Sequence, residues 1–384
     1  MVKKIVFSVG EVSGDLHASR VIRELFLKNP NLKIMGMGGE KMKAEGFELV
    51  EDITPISTVG IFEPLFYIRK IINALSVMKR LLKEQQPDLL VVVDNQGFNM
   101  MLLRYAKRLG IKTCYYISPQ EWQWGTKKNG KKVLLHTDLL LAIFPEEFQF
   151  YKSLGGNVKF VGHPVFDSLR ESNQKNVVRD SLNIPKEKKI VGVFPGSRLQ
   201  EIKRIGPVLM SLLAELKYDE SVQPVVSIAL AKYESMLQDM ADRAGARNVL
   251  FWKEDSRYLI QDSYCSVVTS GTVTLEHAIY GTPCIALYRF FSLTYLIIKL
   301  FFYKKLNRLT YMTLPNLLFK KEVIPEFLQG KANVEYIYPT LKTLLNNDFV
   351  YESMEESFKE LKGQLATDNV ALTVANEIYL MIKQ

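Results

Sequence analysis

Residues 3–27, KKIVFSVGEVSGDLHASRVIRELFL, place a β-rich run directly before a glycine turn and a helical pattern. The run KKIVFSV predicts a buried strand, and a helix is predicted from about Gly14 to Leu27. The two glycines between them permit a tight turn. Strand, turn and helix in this order form the repeating unit of a parallel sheet covered by helices.

The same unit recurs in two series along the chain. In the first half the other runs are LKIMGMG (32–38), LLVVVD (89–94), TCYYIS (113–118), LLLAIF (139–144) and VKFVG (158–162). After a charged stretch at 171–189 come KIVGVFPGS (189–197), QPVVSIAL (223–230), VLFW (249–252), YCSVVTS (264–270) and PCIALY (283–288). We therefore expect an α/β protein with two doubly wound, Rossmann-like domains, 1–166 and 167–333, whose boundary lies between Pro164 and Lys189. Residues 334–384 are expected to form helices only.

Composition fits this organisation. With 384 residues and 47% hydrophobic content the chain can bury two cores, which excludes a disordered or fibrous protein. Cys114, Cys265 and Cys284 lie in or beside apolar runs and are expected to be buried thiols of a protein in the reducing cytosol. The N-terminal apolar run of five residues is too short for a signal peptide, and Lys299 interrupts the longest apolar stretch, so no transmembrane helix is expected.

The net charge of +9 implies acidic partners. Nucleic acid, anionic lipid and phosphorylated small molecules all fit the charge alone. Basic residues interrupt two bulky apolar stretches, 61–72 and 290–303, and this mixture favours an anionic membrane surface over nucleic acid. Both stretches could instead be ordinary core helices.

Ligands of open α/β sheets bind beyond the carboxyl ends of the strands. In the first domain the turn after the opening strand offers Glu11 and Ser13, and Asp94 ends the run LLVVV. A carboxylate at position 94 could take a proton from an attacking hydroxyl if partial desolvation raised its basicity. Ser13, Asp15 and Asp94 could equally be helix caps.

Two turns of the second domain are suited to an anionic ligand. Ser197 and Arg198 follow a strand and could clamp a diphosphate with backbone N–H groups and the guanidinium. The run Ser270-Gly271-Thr272 opens a helix that carries Glu276, whose carboxylate could accept both ribose hydroxyls. A surface arginine beside a simple turn and ordinary serine or threonine caps are the alternatives.

Four histidines are scattered among different turns, His163 among them, and no paired carboxylates have metal-ligand spacing. The sequence therefore predicts neither a metal site nor a cofactor.

Eight blocks, taken together, resemble the lipid-A-disaccharide synthase family of inverting GT-B glycosyltransferases. They are GEVSGD (10–15), GIFE (60–63), QPDLLVVVDNQGFN (86–99), YYISPQEWQW (115–124), FVGHP (160–164), PGSR (195–198), SGTVTLE (270–276) and LPNLL (314–318). The resemblance covers the whole chain. It implies two Rossmann-like domains that face each other across a cleft.

The resemblance also implies an activity. UDP-2,3-diacylglucosamine would donate its sugar to 2,3-diacylglucosamine 1-phosphate, which forms a β-1,6 linkage and releases UDP without a metal. Both substrates carry phosphate groups and acyl chains, so a basic surface with apolar patches would suit them. The protein would lie on the inner face of the cytoplasmic membrane, and its C-terminal helices could pack back on the N-terminal domain or exchange between subunits of a homodimer.

Roles follow for the residues that match family blocks. Asp94 would be the general base toward the 6-hydroxyl of the acceptor. Glu11, Ser13 and Ser118 would lie on the acceptor side. The donor side would consist of Ser197, Arg198, Ser270, Gly271, Thr272, Glu276, which would hold the ribose, and Asn316.

The chain departs from the family pattern near the expected acceptor side. Gly97 stands where relatives often carry a second acid, so no role for that acid is transferred. Gln120 and Glu121 replace smaller residues, and Gly125 stands where a basic residue commonly follows the second tryptophan.

Two rival functions share the expected scaffold. A GT-B UDP-sugar epimerase would use the same UDP site but would have no use for membrane-facing apolar patches. A non-catalytic UDP-sugar or lipid-binding protein would fit the loss of an acid at Gly97, but the presence of Asp94 argues against it.

Overall fold

The protein is described from a computed structural model, which describes residues 2–54, 67–123, 125–171, 174–289 and 311–383. Two compact units make up the chain. Unit 1 comprises Met1–Asp167 and Leu365–Gln384, and unit 2 comprises Ser168–Gln364.

Unit 1 is built on a seven-stranded parallel sheet in the order β3-β2-β1-β4-β5-β6-β7. Its strands are β1 (Lys4–Val9), β2 (Lys33–Met37), β3 (Glu48–Glu51), β4 (Leu89–Val93), β5 (Lys112–Tyr116), β6 (Leu139–Ala142) and β7 (Val158–Phe160). From β1 the chain first proceeds to one edge of the sheet and then, from β4, to the other. The strand order therefore reverses between β1 and β4, where doubly wound sheets bind their ligands.

Helices cover this sheet on both faces. They are α1 (Val12–Lys28), α2 (Glu40–Ala44), α3 (Ile68–Gln85), α4 (Gln96–Arg108), α5 (Lys127–Leu134) and α6 (Pro145–Ser153). Buried side chains of α3, α4, α5 and α6 share one core with the sheet, including Leu75, Leu103, Val133 and Tyr151. Continuous burial of β4 explains why its sequence is an unbroken apolar run rather than an alternating one.

Unit 2 repeats the architecture with six parallel strands in the order β10-β9-β8-β11-β12-β13. They are β8 (Lys189–Phe194), β9 (Val222–Ser227), β10 (Leu250–Trp252), β11 (Cys265–Thr269), β12 (Cys284–Tyr288) and β13 (Glu326–Leu328). Here the order reverses between β8 and β11. Each unit thus has one switch point of its own.

After α7 (Val165–Glu171), which spans the boundary of the units, come the helices of unit 2. They are α8 (Val177–Ser181), α9 (Leu199–Glu215), α10 (Glu234–Ala244), α11 (Ser256–Asp262), α12 (Thr272–Tyr280), α13 (Leu314–Phe319), α14 (Val334–Asn346) and α15 (Asp348–Leu365). Short 3-10 turns occupy Leu216–Tyr218, Ala231–Tyr233 and Gln329–Lys331.

The last helix, α16 (Val370–Lys383), belongs to unit 1 and packs against α1. Asp167 caps it: the N–H groups of Val370 and Ala371 donate to the Asp167 carboxylate at 2.9 and 2.8 Å. At the other end, Lys112 Nζ donates to the Met381 carbonyl at 3.1 Å. The prediction of a helical C-terminus is confirmed.

The predicted fold class is confirmed, and the predicted runs coincide with strands. Two edge strands, β3 and β13, were not predicted. Both are short and none of their residues is fully buried, so they lack the apolar run by which the others were found. The helix α1 begins at Val12, two residues before the predicted Gly14.

Candidate functional site

The switch point of unit 1 brings three turns side by side. Val9 pairs with Val93, and Val93 pairs with Tyr116. The residues that follow these three, Gly10, Asp94 and Ile117, therefore lie next to one another at the carboxyl edge of the sheet. The expected base and the GEVSGD turn are thus adjacent in the fold although 84 positions separate Gly10 from Asp94 in the sequence.

Asp94 has an unusual backbone. Its φ is +50°, that of Asn95 is +42° and that of Ile117 is +57°. Left-handed backbone is uncommon outside glycine, is a clear outlier for a β-branched residue, and persists only where the surroundings enforce it. Such strain often accompanies functional sites, so it supports a site at this edge.

Hydrogen bonds fix both sides of that backbone. The N–H of Asp94 donates to the carbonyls of Tyr116 and Ile117 at 3.3 and 3.2 Å. Its own carbonyl accepts from Asn99 Nδ2 at 2.8 Å and from the Tyr115 hydroxyl at 2.9 Å. The residue as a whole is exposed. Hydrogen bonds therefore fix the main chain while the residue as a whole stays exposed, and partial desolvation of its carboxylate stays a prediction.

Asn99 is a site residue for which the sequence analysis gave no role. It is fully buried, its Oδ1 accepts from Ser8 Oγ at 2.7 Å, and its Nδ2 donates to Val93 as well as to Asp94. It thereby joins β1 to the end of β4. The available signal was a polar residue at position 99, one turn into the helix and directly before the apolar run MMLL (100–103).

Helix α1 begins beside Asp94. Glu11 is its N-cap residue without a capping bond from its side chain, and Ser13 is exposed in the first turn. A Cβ on Gly10 would lie 2.2 Å from Asn95 Nδ2, so only glycine permits this close approach. Ser13 is therefore not a cap, and it is placed on the same edge as the expected base.

Asp15 caps a different helix. Its carboxylate accepts from the N–H groups of Gly39, Lys41 and Met42 at 2.9, 3.1 and 3.1 Å, at the start of α2. Burial raises its pKa, and these bonds oppose the rise. The capping alternative is therefore correct for Asp15, although not for its own helix.

Ser118 is 6% exposed, and its Oγ donates to the buried carboxyl of Glu147. The hydroxyl hydrogen of Ser118 is thus directed into the core. This geometry gives Ser118 a role in fixing the loop after β5, and its place on the acceptor side stays a prediction.

Two departures from the family pattern, Glu121 and Gly125, lie close together in this loop. Glu121 is 7% exposed and accepts from Gln96 Nε2 at 2.7 Å and from the Thr126 N–H at 3.2 Å. A Cβ on Gly125 would lie 1.6 Å from Glu121 Oε2. The same Cβ would lie 2.7 Å from Glu121 Cα, so the close approach of the main chain requires glycine at 125 whichever side chain stands at 121. Trp124 and the block GIFE (60–63) lie outside the described residues.

The switch point of unit 2 joins the two donor-side turns. Phe194 of β8 pairs with Val268 of β11, so the turn with Ser197 and Arg198 lies beside the turn with Ser270 and Gly271. All four residues follow the carboxyl ends of neighbouring strands. The structure thus brings together the two groups that the sequence predicted separately.

Glu201 already binds the N–H groups expected to clamp a diphosphate. Its Oε2 accepts from the N–H groups of Ser197 and Arg198 at 3.2 and 3.3 Å, and its Oε1 accepts from Arg198 Nη1 at 2.9 Å. These N–H groups can meet phosphate only if Glu201 moves. The Arg198 side chain keeps about a third of its surface exposed, at 33%.

The start of α12 is exposed and sterically open. Gly271 is the N-cap without a capping side-chain bond, and Gly271 and Thr272 are exposed. A Cβ on Gly271 would meet nothing within 4 Å. The first N–H groups of a helix lack partners within it and carry positive partial charge, so phosphate oxygens can approach here. Glu276 lies half-buried about one turn further along the helix.

Asn316 has a structural role. It is fully buried, its Nδ2 donates to the Ile324 carbonyl and to Glu326, and its Oδ1 accepts from the N–H groups of Val323 and Ile324, all at 2.7–2.8 Å. Two amide hydrogens and two lone pairs are the full capacity of the group. The side-chain amide of Asn316 therefore makes its full set of hydrogen bonds within unit 2, and a contact of this residue with the sugar donor stays a prediction.

Three of the four histidines, His17, His163 and His277, are buried. Burial lowers the pKa of His163 to about 3 and that of His277 to about 4, so both are neutral near pH 7. His163 Nδ1 accepts from the Val165 N–H at 3.3 Å, which is a structural contact. In the part of the chain that the structure describes, no three His, Cys, Asp or Glu side chains are grouped so that they could hold a metal ion.

The first turn of α3 exposes apolar and basic side chains together. Tyr67, Ile68 and Ile72 are 39%, 45% and 56% exposed, and Arg69 and Lys70 are exposed beside them. For residues 67–72 this favours a surface patch over a core helix. Residues 61–66 and the stretch 290–303 lie outside the described residues, and no described helix has the length and apolarity to cross a bilayer.

The chain matches the family model described as lipid-A-disaccharide synthetase over residues 5–376. It is 32% identical to the lipid-A-disaccharide synthase of Geobacter metallireducens over 383 residues, with 99% of this chain and 97% of that relative covered.

Solved structures are similar in fold. The UDP-GlcNAc 2-epimerase of Neisseria meningitidis bound to UDP-GlcNAc has a TM-score of 0.63 at 13% identity, with 100% of both chains covered. The calicheamicin glycosyltransferase CalG4 has a TM-score of 0.59 at 15% identity, with 100% of this chain and 99% of that chain covered. Identities this low show the GT-B fold alone.

Proposed function

Since this chain belongs to the lipid-A-disaccharide synthetase family and is a hexosyltransferase of GT-B fold, we propose that it joins UDP-2,3-diacylglucosamine to 2,3-diacylglucosamine 1-phosphate. The product is a β-1,6-linked disaccharide, and UDP is released. The observation that carries the proposal is the match over nearly the whole chain, combined with an exposed acidic residue, Asp94, at the switch point of unit 1.

Unit 1 activates the acceptor. The 6-hydroxyl oxygen attacks the anomeric carbon of the donor from the face opposite the diphosphate, which inverts the configuration. Asp94 takes the hydroxyl proton as the new C–O bond forms, a role worth about 10²- to 10⁴-fold in rate. Glu11 and Ser13, at the start of α1 beside Asp94, orient the acceptor sugar.

Unit 2 binds the donor. The bond between the anomeric carbon and the diphosphate oxygen breaks, and UDP leaves with the electron pair. Arg198 and the N-terminus of α12, with Ser270, Gly271 and Thr272, stabilise the charge that develops on it. Glu276 accepts hydrogen bonds from the ribose hydroxyls, whereas Ser197 contributes its N–H only after Glu201 moves.

A direct experiment tests the activity. Purified protein is incubated with the two acyl-sugars, and the products are analysed by mass spectrometry. A disaccharide that carries four acyl chains and one phosphate supports the proposal. An epimerised UDP-sugar, or unchanged substrates, would contradict it and favour one of the two rival functions.

Arg198→Ala is expected to weaken UDP binding about 10-fold. The variant loses a charge-assisted hydrogen bond to the diphosphate worth roughly 1.5–3 kcal/mol, and the net loss is smaller because Arg198 already donates to Glu201 in the absence of UDP. Isothermal titration calorimetry with UDP measures the change. Arg247→Ala is the control, since Arg247 is an exposed arginine of the same unit away from the switch point. An unchanged UDP affinity in Arg198→Ala would remove Arg198 from the donor site.

We also propose that the protein binds the anionic surface of a membrane through the first turn of α3. The variant Arg69→Glu/Lys70→Glu is expected to reduce co-sedimentation with anionic vesicles at low salt several-fold, because each basic residue near such a surface contributes about 1 kcal/mol. Arg80→Glu/Lys83→Glu makes the same charge change in the second half of the helix. Equal losses in both variants would indicate a general charge effect instead.

Exchange of C-terminal helices in a homodimer stays a prediction. In this chain α16 packs on α1 of the same chain. A swapped dimer would make the equivalent contact between two copies.

A further inference from the structure

One helix, α6, holds the segment that follows β5. Glu147 and Tyr151 are four residues apart and therefore share a face of this helix. Ser118 Oγ donates to Glu147 Oε1, and the Tyr151 hydroxyl donates to the Pro119 carbonyl at 2.8 Å. Glu147 is 1% exposed and Tyr151 is fully buried. Two consecutive loop residues are thus anchored to one helix from inside the unit.

The carboxyl group of Glu147 makes more hydrogen bonds than are needed to cap its own helix. Its Oε2 accepts from the N–H groups of Ile143 and Phe144 at 2.8 and 3.3 Å, which caps α6. A cap needs only one carboxylate oxygen. The second oxygen is used for Ser118, in a different loop. Burying a carboxyl group costs free energy, so an acid here needs a compensating set of bonds, and the bond to Ser118 is part of that set.

The anchored segment is the one that fixes Asp94. Ile117, adjacent to Ser118, has the strained φ of +57°, and its carbonyl accepts from the Asp94 N–H at 3.2 Å. The contacts therefore run without a gap from Glu147 through Ser118 and Ile117 to Asp94. A left-handed isoleucine would relax if its neighbours released it, because the conformation is costly by itself.

We propose that Glu147, assisted by Tyr151, is a positioning residue for the transfer reaction. It holds Ser118 and the strained Ile117 so that the Asp94 main chain, and with it the carboxylate, has the orientation required to take the acceptor proton. The proposal rests on the role of Asp94 proposed above. Glu147 itself does not touch a substrate.

The test separates positioning from general stability. Glu147→Leu is expected to lower kcat about 10-fold or more, since a misplacement of about 1 Å can cost as much as 10²-fold. The Kd of UDP is expected to stay unchanged, because the donor residues belong to unit 2. Glu147→Gln, which can cap α6 and bond Ser118 with its amide, is expected to restore most of kcat. Glu146→Gln is the control, because Glu146 is the exposed neighbouring acid.

Two further variants keep the test decisive. If Glu147→Leu fails to fold, Tyr151→Phe removes only one hydroxyl and is expected to lower kcat several-fold with an unchanged Kd of UDP. In an Asp94→Asn background, Glu147→Leu or Tyr151→Phe is expected to cause no further loss, because positioning matters only while the base is present.

The outcomes distinguish this proposal from the proposed function. A folded Glu147→Leu protein with normal kcat, or losses that add fully to that of Asp94→Asn, would overturn the positioning role alone. Normal turnover in the Asp94→Asn single variant would overturn the base assignment, and the positioning role with it.

Discussion

Asp94→Asn is expected to lower turnover by at least about 10²-fold and to leave UDP affinity nearly intact. The amide cannot take a proton at neutral pH, so the acceptor hydroxyl would have to attack without a general base. Asparagine is the appropriate replacement because it tolerates the left-handed φ of +50° that position 94 requires. Turnover is measured by mass spectrometry of the product, and UDP affinity is measured by calorimetry.

The control for this variant is Asp88→Asn at the opposite end of β4. Asp88 bonds Lys3 and the N–H of Lys4 at 2.8 Å, far along the strand from the switch point. It is expected to change stability without changing the kcat of the folded protein. Near-normal turnover in Asp94→Asn would exclude this carboxylate from the mechanism and would leave the family assignment of the chain untouched.

Gly271→Val is expected to weaken UDP binding by at least about 10²-fold, which corresponds to about 2.7 kcal/mol. The added side chain would occupy the open space in front of the α12 N-terminus, where the diphosphate is proposed to approach. The backbone itself tolerates valine, because the φ of 169° is extended and the new Cβ meets no protein atom within 4 Å. Calorimetry with UDP measures the loss.

Gly330→Val is the matched control, since a Cβ on Gly330 also meets nothing within 4 Å and the residue lies in unit 2. Thermal unfolding is compared for both variants, because a less suitable N-cap at position 271 costs roughly 1 kcal/mol or less. A folded Gly271→Val protein with normal UDP affinity would show that phosphate does not bind at this helix end.

The fold and the placement of the candidate site were predictable in part. Unbroken apolar runs such as LLVVV identify strands that are buried on both faces, and the glycine turn after each identifies where a ligand can approach. These local signals located Asp94, Arg198 and Gly271 at strand ends. They could not identify β3 or β13. A short edge strand pairs with a neighbour on one side only and stays partly exposed, so its sequence needs no continuous apolar run.

Individual side-chain roles were less predictable because they depend on partners distant in sequence. Asn316 belongs to a family block, yet its amide is saturated by residues 323–326. The sequence analysis gave Glu201 no role, yet its carboxylate accepts hydrogen bonds from the N–H groups of Ser197 and Arg198. The sequence does not show whether a polar side chain makes its hydrogen bonds to other residues of the protein or to a ligand.

By itself, the sequence determined the two-domain α/β architecture, the family and the strand ends at which chemistry can occur, because burial and turn formation depend on residue type and short-range order. Only the tertiary structure decided which of those strand ends are neighbours, that Asn99 and Ile117 constrain Asp94, and that the main chain at Glu121 comes too close to Gly125 for any side chain there. Hydrogen bonds and close approaches of this kind join residues far apart in the chain, so they exist only once the strand order of each sheet is set.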